Sequence, residues 1–256
     1  MDGFRRRLID RWNISEGERL LEVGCGQGDA TAVLADRVGP TGVVLAIDSA
    51  GPDYGAPATL GACIDGLRRS SLGPRMDVRL ETEIEDLKWA TGHTLDRVVM
   101  VHASWYVASR RRLVEVLQEA LRVAPVLCLS DWDLVPTRAP QFGHYAAIAF
   151  QMEARALGLL PDGNVRTPLE RGQVREAVVE AGWTPTAEGS IATSDEPDGS
   201  WEVAAALDVA PEAITRAAES GRSALAVWLR TQQAVLVRAR PQGVSSLDSW
   251  WLSARR

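Results

Sequence analysis

Leu20-Leu21-Glu22-Val23-Gly24-Cys25-Gly26-Gln27-Gly28 places three glycines at alternate positions directly behind a short apolar run. A chain that gives up side chains at such a bend lets something come close to its backbone. RLLEVG, ending on the first glycine, reads as a buried strand, and GDATAVLADRVG reads as a helix with Ala30, Val33, Leu34 and Val38 on one face. Gly39-Pro40 closes that helix, and GVVLAID follows as a second apolar strand. Strand, glycine turn, helix and strand make a βαβ unit, which implies a parallel sheet.

The alternation continues on both sides of this unit. Residues 4–12, FRRRLIDRW, read as a short helix before it. SAGPDYGAPATLGACIDGLRRSSLG opens as a Gly/Pro-rich loop and turns helical from Ala58. MDVRLE, LDRVVMVH and PVLCLSDW supply a third, fourth and fifth strand, with the helix RRRLVEVLQEALRV between the last two. The expected class is therefore α/β, doubly wound and Rossmann-like, with a mostly parallel sheet and helices on both faces. From Pro136 the pattern changes to a loop and a helix carrying His144, Tyr145, Phe150 and Met152, and the loop PDGNVR follows. This reads as a helical lid inserted at about 136–166. TPLERGQVREAVVEAGW is expected as a helix with Thr167 as N-cap, Pro168 first and Glu170 closing a capping box. A strand near Trp183–Ala192, a helix through SALAVWLRTQQ and a last strand AVLVRAR complete a domain over 1–241, with 242–256 as a tail.

Composition narrows the function. The 256 residues carry a net charge of −6, which argues against a nucleic-acid polyanion as the main partner. Arg5-Arg6-Arg7 and Arg110-Arg111-Arg112 read as solvated helix faces. Cys25, Cys63 and Cys128 lie far apart, and no Cys/His cluster suggests a disulfide framework or a metal site. No apolar run reaches the ~18 residues of a membrane span, and the start lacks a signal-peptide segment. A cytoplasmic enzyme without membrane partner is expected.

Three ligand classes use a strand, a glycine turn and a helix N-terminus. A P-loop needs GxxxxGK[ST], and Lys88 is the only lysine of the chain. A dinucleotide fingerprint needs GxGxxG, and the sixth position counted from Gly24 is Asp29. The spacing here is GxGxG with Glu22 two residues ahead. A pyrophosphate wants bare N–H groups and no nearby carboxylate, whereas a ligand with an ammonium and a sulfonium tolerates acids.

The stretch Glu22-Val23-Gly24-Cys25-Gly26-Gln27-Gly28 resembles motif I, ExGxGxG, of the class I S-adenosylmethionine-dependent methyltransferases. Asp48 ends the second strand about 20 residues past the last glycine, where an acid can hold both ribose hydroxyls. TEIEDL, Thr82 to Leu87, resembles the family's segment after the third strand, and LDRVVMVHASWYV its fourth-strand motif. The similarity runs motif by motif over about 14–133 and beyond that only by general plan. It implies a seven-stranded sheet and S-adenosyl-L-methionine as cofactor. It also implies cofactor contacts at Glu22, Gly24, Cys25, Gly26, Gly28, Asp48, Ser49, Glu83, Ile84 and His102. Glu83 would accept from the adenine amino group, and the Ile84 N–H would face the ring. Bland readings stand beside these: Asp48 as a helix cap, Glu83 on a solvated acidic face, Cys25 as a small core residue. The loop after Asp48 is longer than expected, and no [DN]PP[YF] follows the fourth strand, so the resemblance does not extend to aminomethyltransferases of bases or amides.

A methyl group on sulfonium is already activated, so an in-line displacement needs positioning above all, and a base only for a protonated acceptor. The acceptor approaches over the carboxyl ends of the strands. His102, Trp105 and Tyr106 after strand four and Asp131 and Trp132 after strand five are the expected contacts. His102 reads equally as a polar contact near the methyl group and as a histidine packed against the cofactor. His144 and Tyr145 are candidates for catalysis from the lid, His144 as general base. The tryptophans suggest a small apolar or aromatic acceptor methylated at O, N or C. The alternative is a protein or peptide methyltransferase that uses the insertion as a docking surface.

Overall fold

The structure is a computed structural model that describes residues 3–87, 95–160, 165–193 and 196–256. Seven strands form one sheet in the order β3-β2-β1-β4-β5-β7-β6. They are β1 (Arg19–Val23), β2 (Val43–Ile47), β3 (Met76–Arg79), β4 (Arg97–Val101), β5 (Val126–Trp132), β6 (Thr184–Ile191) and β7 (Ser249–Arg255). β1 pairs in parallel with β2 and β4, β2 with β3, and β4 with β5. β7 runs the other way. The Arg256 N–H reaches the Pro125 carbonyl at 3.1 Å, while Ser130 Oγ reaches the Trp250 carbonyl at 2.8 Å. The strand order reverses between β1 and β4, so the carboxyl ends of these two strands open a crevice suited to a ligand.

The chain divides into two compact units. The first holds 1–131, 172–191 and 250–256, with the sheet and helices α1 (Gly3–Arg11), α2 (Asp29–Arg37), α3 (Leu60–Arg68), α4 (Arg110–Val123) and α6 (Arg171–Glu180). α1 buries Phe4, Leu8 and Ile9 in a core that also takes Leu20, Val33, Leu34, Val44, Ala46 and Val99. Local caps set helix starts: Ser109 Oγ accepts from the Arg112 N–H, and Thr59 Oγ1 from the Ala62 N–H. The run Arg110-Arg111-Arg112 opens α4, where the helix dipole disfavours cations. Acids compensate: Arg110 pairs with Glu180, Arg111 with Glu115, and Arg112 with Glu83 and Glu85.

The second unit holds 132–171 and 192–249. Its helices are α5 (Phe142–Ala156), α7 (Asp198–Glu219) and α8 (Ser223–Ala239), packed around Phe150, Leu159, Val203, Ile214, Leu229 and Leu236. The expected insertion at 136–166 is thus one part of a helical unit that draws on two stretches of chain. Pro161–Asn164, within the expected loop PDGNVR, fall outside the described residues.

Three expectations are corrected. AVLVRAR is not the last strand but the second half of α8, because Leu229 and Leu236 continue one buried helical stripe. The expected tail 242–256 instead supplies β7, with Trp250, Leu252 and Ala254 fully buried. The helix expected from Thr167 begins at Arg171; Pro168 biases Thr167 toward extended backbone, and Leu169 is buried ahead of the helix. α7 has no counterpart among the expected elements, and Pro211 inside it interrupts the helical signal.

Removing residues 249–256 should abolish cooperative unfolding of the sheet unit. Burial of Trp250 and Leu252 alone is worth about 1.5–3 kcal/mol each, a large share of a domain's net ~5–15 kcal/mol. A two-state thermal transition retained by the truncated chain, followed by circular dichroism, would contradict this placement of β7.

Candidate active site

Between β1 and α2 the backbone N–H groups of Gly24 and Cys25 both donate to the Ile47 carbonyl, at 2.9 and 3.1 Å, which folds the glycine turn back on the end of β2. The Gly26 N–H donates to Asp48 Oδ2 at 2.8 Å, and the Ala50 N–H to Asp48 Oδ1 at 2.9 Å. A carboxylate therefore occupies the donor that a pyrophosphate would need. Two further lone-pair sites of the half-buried Asp48 carboxylate remain for hydroxyl donors. The bland reading of Asp48 as a simple helix cap gives way to a tie between two strand ends.

The glycines divide by what surrounds them. A Cβ on Gly24 would lie 2.6 Å from the Ala103 Cβ, so this glycine is required where the turn meets the loop after β4. A Cβ on Gly26 would meet nothing within 4 Å. Protein packing does not demand a glycine at 26; open space and a positive φ of 52° do. That opening is the cradle a cofactor would fill.

Glu22 sits behind the turn, 1% exposed, and Thr31 Oγ1 donates to its Oε2 at 2.6 Å. Burial pushes its carboxyl up to about 8, opposed by the Thr31 hydrogen bond and the nearby Arg5 charge. Glu22 is thus a buried acid that a cation brought into the turn would ionise. Cys25 is buried, and burial with the charges of Glu22 and Asp48 raises its thiol well above the usual range, so it stays a protonated small core residue. Ser49 is exposed beside Asp48.

After β3, Glu83 and Asp86 close a reciprocal cap on a short 3₁₀ turn, and Arg112 Nη2 reaches Glu83 Oε2 at 3.1 Å. Arg112 also holds Glu85, whose carboxyl it keeps below the ordinary range. Glu83 is exposed but fixed in place, and Ile84 is buried with its N–H first in the turn. The arrangement fits a hydrogen-bonding and apolar pair for a purine edge.

After β4, His102 adopts φ 51°, a conformation uncommon for a residue with a side chain. Its N–H donates to the Ser130 carbonyl at 2.9 Å, and its ring stacks on Phe4 of α1 with centroids 5.4 Å apart and planes at 16°. Ser104 and Asp131 are both buried, and Asp131 Oδ2 accepts from the Ser104 N–H at 3.1 Å and from its hydroxyl. Asp131 is therefore a clamp on the loop that meets Gly24, a correction to its expected place against the acceptor. Trp105 is buried and Tyr106 is half exposed.

The remaining expected residues lie in the helical unit. His144 is fully buried on α5, its Nδ1 accepts from the Leu247 N–H at 3.0 Å, and its ring meets Trp132 edge-on. Burial lowers its pKa to about 4. At neutral pH the ring is uncharged with its proton on Nε2, so no lone pair is left for a general base. The expected catalytic role of His144 is corrected to a structural one. Tyr145 is exposed, and Trp132 is buried. Residues that sequence reasoning missed are Phe4, Thr31 and Arg112. No local signal marks them, since each acts on a partner 9 to 98 positions away: Thr31 on Glu22, Arg112 on Glu83, and Phe4 on His102.

Comparison with known proteins bears on this geometry. The family model described as protein-L-isoaspartate(D-aspartate) O-methyltransferase matches residues 5–51, the stretch from α1 to the loop after β2. A cyclopropane-fatty-acyl-phospholipid synthase-like protein from Lactobacillus casei is 30% identical, with a TM-score of 0.84 over 99% of this chain and 89% of that one. The chain belongs to the class I S-adenosylmethionine-dependent methyltransferases. The methyltransferase phomM′ of Diaporthe leptostromiformis is 23% identical over 93% of this chain and 73% of its own length. A magnesium protoporphyrin IX methyltransferase from Synechocystis, solved with SAH bound, shares the fold at 13% identity, with a TM-score of 0.51 over 98% of this chain and 80% of that one. The enzyme is a methyltransferase, and its cofactor is S-adenosylmethionine. No helix among the described residues is long and apolar enough to cross a membrane.

Gly26→Val should lower S-adenosylmethionine affinity at least tenfold in calorimetry. Its stability cost should stay near the ~1–2 kcal/mol of left-handed backbone strain. Gly24→Ala should cost more than that, because its Cβ collides with Ala103. Equal melting temperatures for the two variants would refute the division. A second expectation concerns pH. The folded pKa of Glu22, about 8, lies above the ordinary carboxylate value, so its contribution to stability is complete below about pH 4.5 and is lost as pH rises toward 8. Denaturant titrations of the cofactor-free protein between pH 5 and 8 should show stability falling with pH, and Glu22→Gln should flatten the slope.

Proposed function

We propose that this methyltransferase transfers the methyl group to an O, N or C atom of a small, apolar or aromatic molecule. The observation that carries the reading is the chemistry of the loop after β4. Its hydroxyl, Ser104, is committed to Asp131 of β5, while the strained His102 stacks on Phe4 and Tyr106 is left half exposed. Such a rim has aromatic surface to offer and few polar groups. Bound in the glycine cradle, S-adenosylmethionine supplies a methyl group already activated on sulfonium. Gly24, Gly26 and Asp48 would hold it, with Glu22 behind the turn and Glu83 and Ile84 for its purine. His102 orients the acceptor from one side; its ring position is fixed by Phe4 and by the backbone bond to Ser130.

The similarity to a protein described as cyclopropane-fatty-acyl-phospholipid synthase-like supports an apolar acceptor. The protein O-methyltransferase family model favours a polypeptide acceptor, but it matches only 5–51, which is the cofactor half of the crevice. It therefore bears on the cofactor more than on the acceptor.

Phe4→Ala should leave S-adenosylmethionine affinity within about twofold while lowering kcat/KM at least tenfold, the scale of one lost positioning contact. Isotope-labelled methyl transfer to a panel of apolar small molecules, run beside a panel of peptides, decides the acceptor class. Labelling of peptides alone would overturn the small-molecule reading.

A further inference from the structure

Within the helical unit, α8 turns one face to solvent that no described residue covers. Val227, Trp228 and Val235 are 51–60% exposed along it, in a 17-residue helix about 25 Å long. Arg230 and Arg238 lie among them, and together with Val227, Thr231, Ala234 and Val235 they line a shallow groove on this face. The charge is one-sided: residues 220–247 contain four arginines and no acid, in a chain whose net charge is −6. Several helix arginines elsewhere pair with acids, among them Arg110, Arg112 and Arg216. Arg230, Arg238 and Arg240 make no ion pair among the described residues.

We infer that this face of α8 docks the protein on an anionic lipid bilayer. Valines and a tryptophan interleaved with arginines are the composition of a helix that lies in the plane of a membrane interface, with apolar side chains among the acyl ends and guanidiniums at the phosphates. Charge complementarity selects this occupant. A second copy seated by two-fold symmetry would bring Arg230 and Arg238 against their own equivalents. The inference departs from the sequence-based expectation of no membrane partner, which rested on the absence of a spanning segment; peripheral docking needs none.

Flotation of the full chain with vesicles tests it. Binding is expected to vesicles of phosphatidylcholine containing about 30% phosphatidylglycerol, not to phosphatidylcholine alone, and should weaken with salt. Arg230→Gln with Arg238→Gln should reduce partition roughly 25-fold, and Trp228→Ser at least tenfold, with the circular dichroism melt and S-adenosylmethionine affinity unchanged. Equal flotation with both vesicle types, or none with either, overturns the inference. So does a dimer in sedimentation velocity that Trp228→Ser dissociates, without flotation, which would make the face a contact between copies. Binding to polyglutamate but not to anionic vesicles would assign it to an acidic polypeptide and equally overturn it.

Discussion

The carboxylate of Asp48 ties the ends of β1 and β2 together through the Gly26 and Ala50 N–H groups, and the site depends on that tie. It sets the glycine turn at a fixed height above the sheet and spends the amide that would otherwise attract phosphate. It also keeps negative charge at the mouth of the crevice. Glu22, buried directly behind and uncharged at neutral pH in the empty turn, becomes an anion there when a cationic ligand offsets its burial. The price of holding that acid in an apolar place is an elevated pKa, which links the stability of the empty turn to pH.

The opposite wall is built from a different kind of constraint. Asp131 clamps Ser104, which fixes Ala103 where it leaves room for Gly24 and nothing larger. His102, one residue earlier, is held in left-handed backbone by its N–H bond to Ser130 and by Phe4 stacked on its ring. Strain of this sort persists only where surroundings over-determine it. Arg112 does the same for the third wall, offsetting an unfavourable helix start by gripping Glu83 and Glu85.

None of these three walls needs the helical unit for the hydrogen bonds named above. That unit has its own core, drawn from two separate stretches of chain, and His144 is part of its interior hydrogen bonding. Its neutral ring illustrates why a histidine in an apolar helix pattern is weak evidence for catalysis: burial removes the charge and the Leu247 N–H takes the Nδ1 lone pair.

The sequence by itself determined the βαβ core, the sulfonium-compatible turn and the strand ends that carry Asp48 and His102, because these are written in short-range periodicity and glycine spacing. It also gave the helical character of the region after Pro136. Tertiary structure decided the rest. Whether AVLVRAR is strand or helix, and whether 242–256 is tail or strand, depends on which partners bury Leu236 and Trp250, and short apolar runs read alike in either state. Likewise Asp131 and His144 differ from acceptor contacts only in the atoms that meet them, Ser104 and Leu247. Such partners lie 27 and 103 positions away, a distance over which local pattern carries no information.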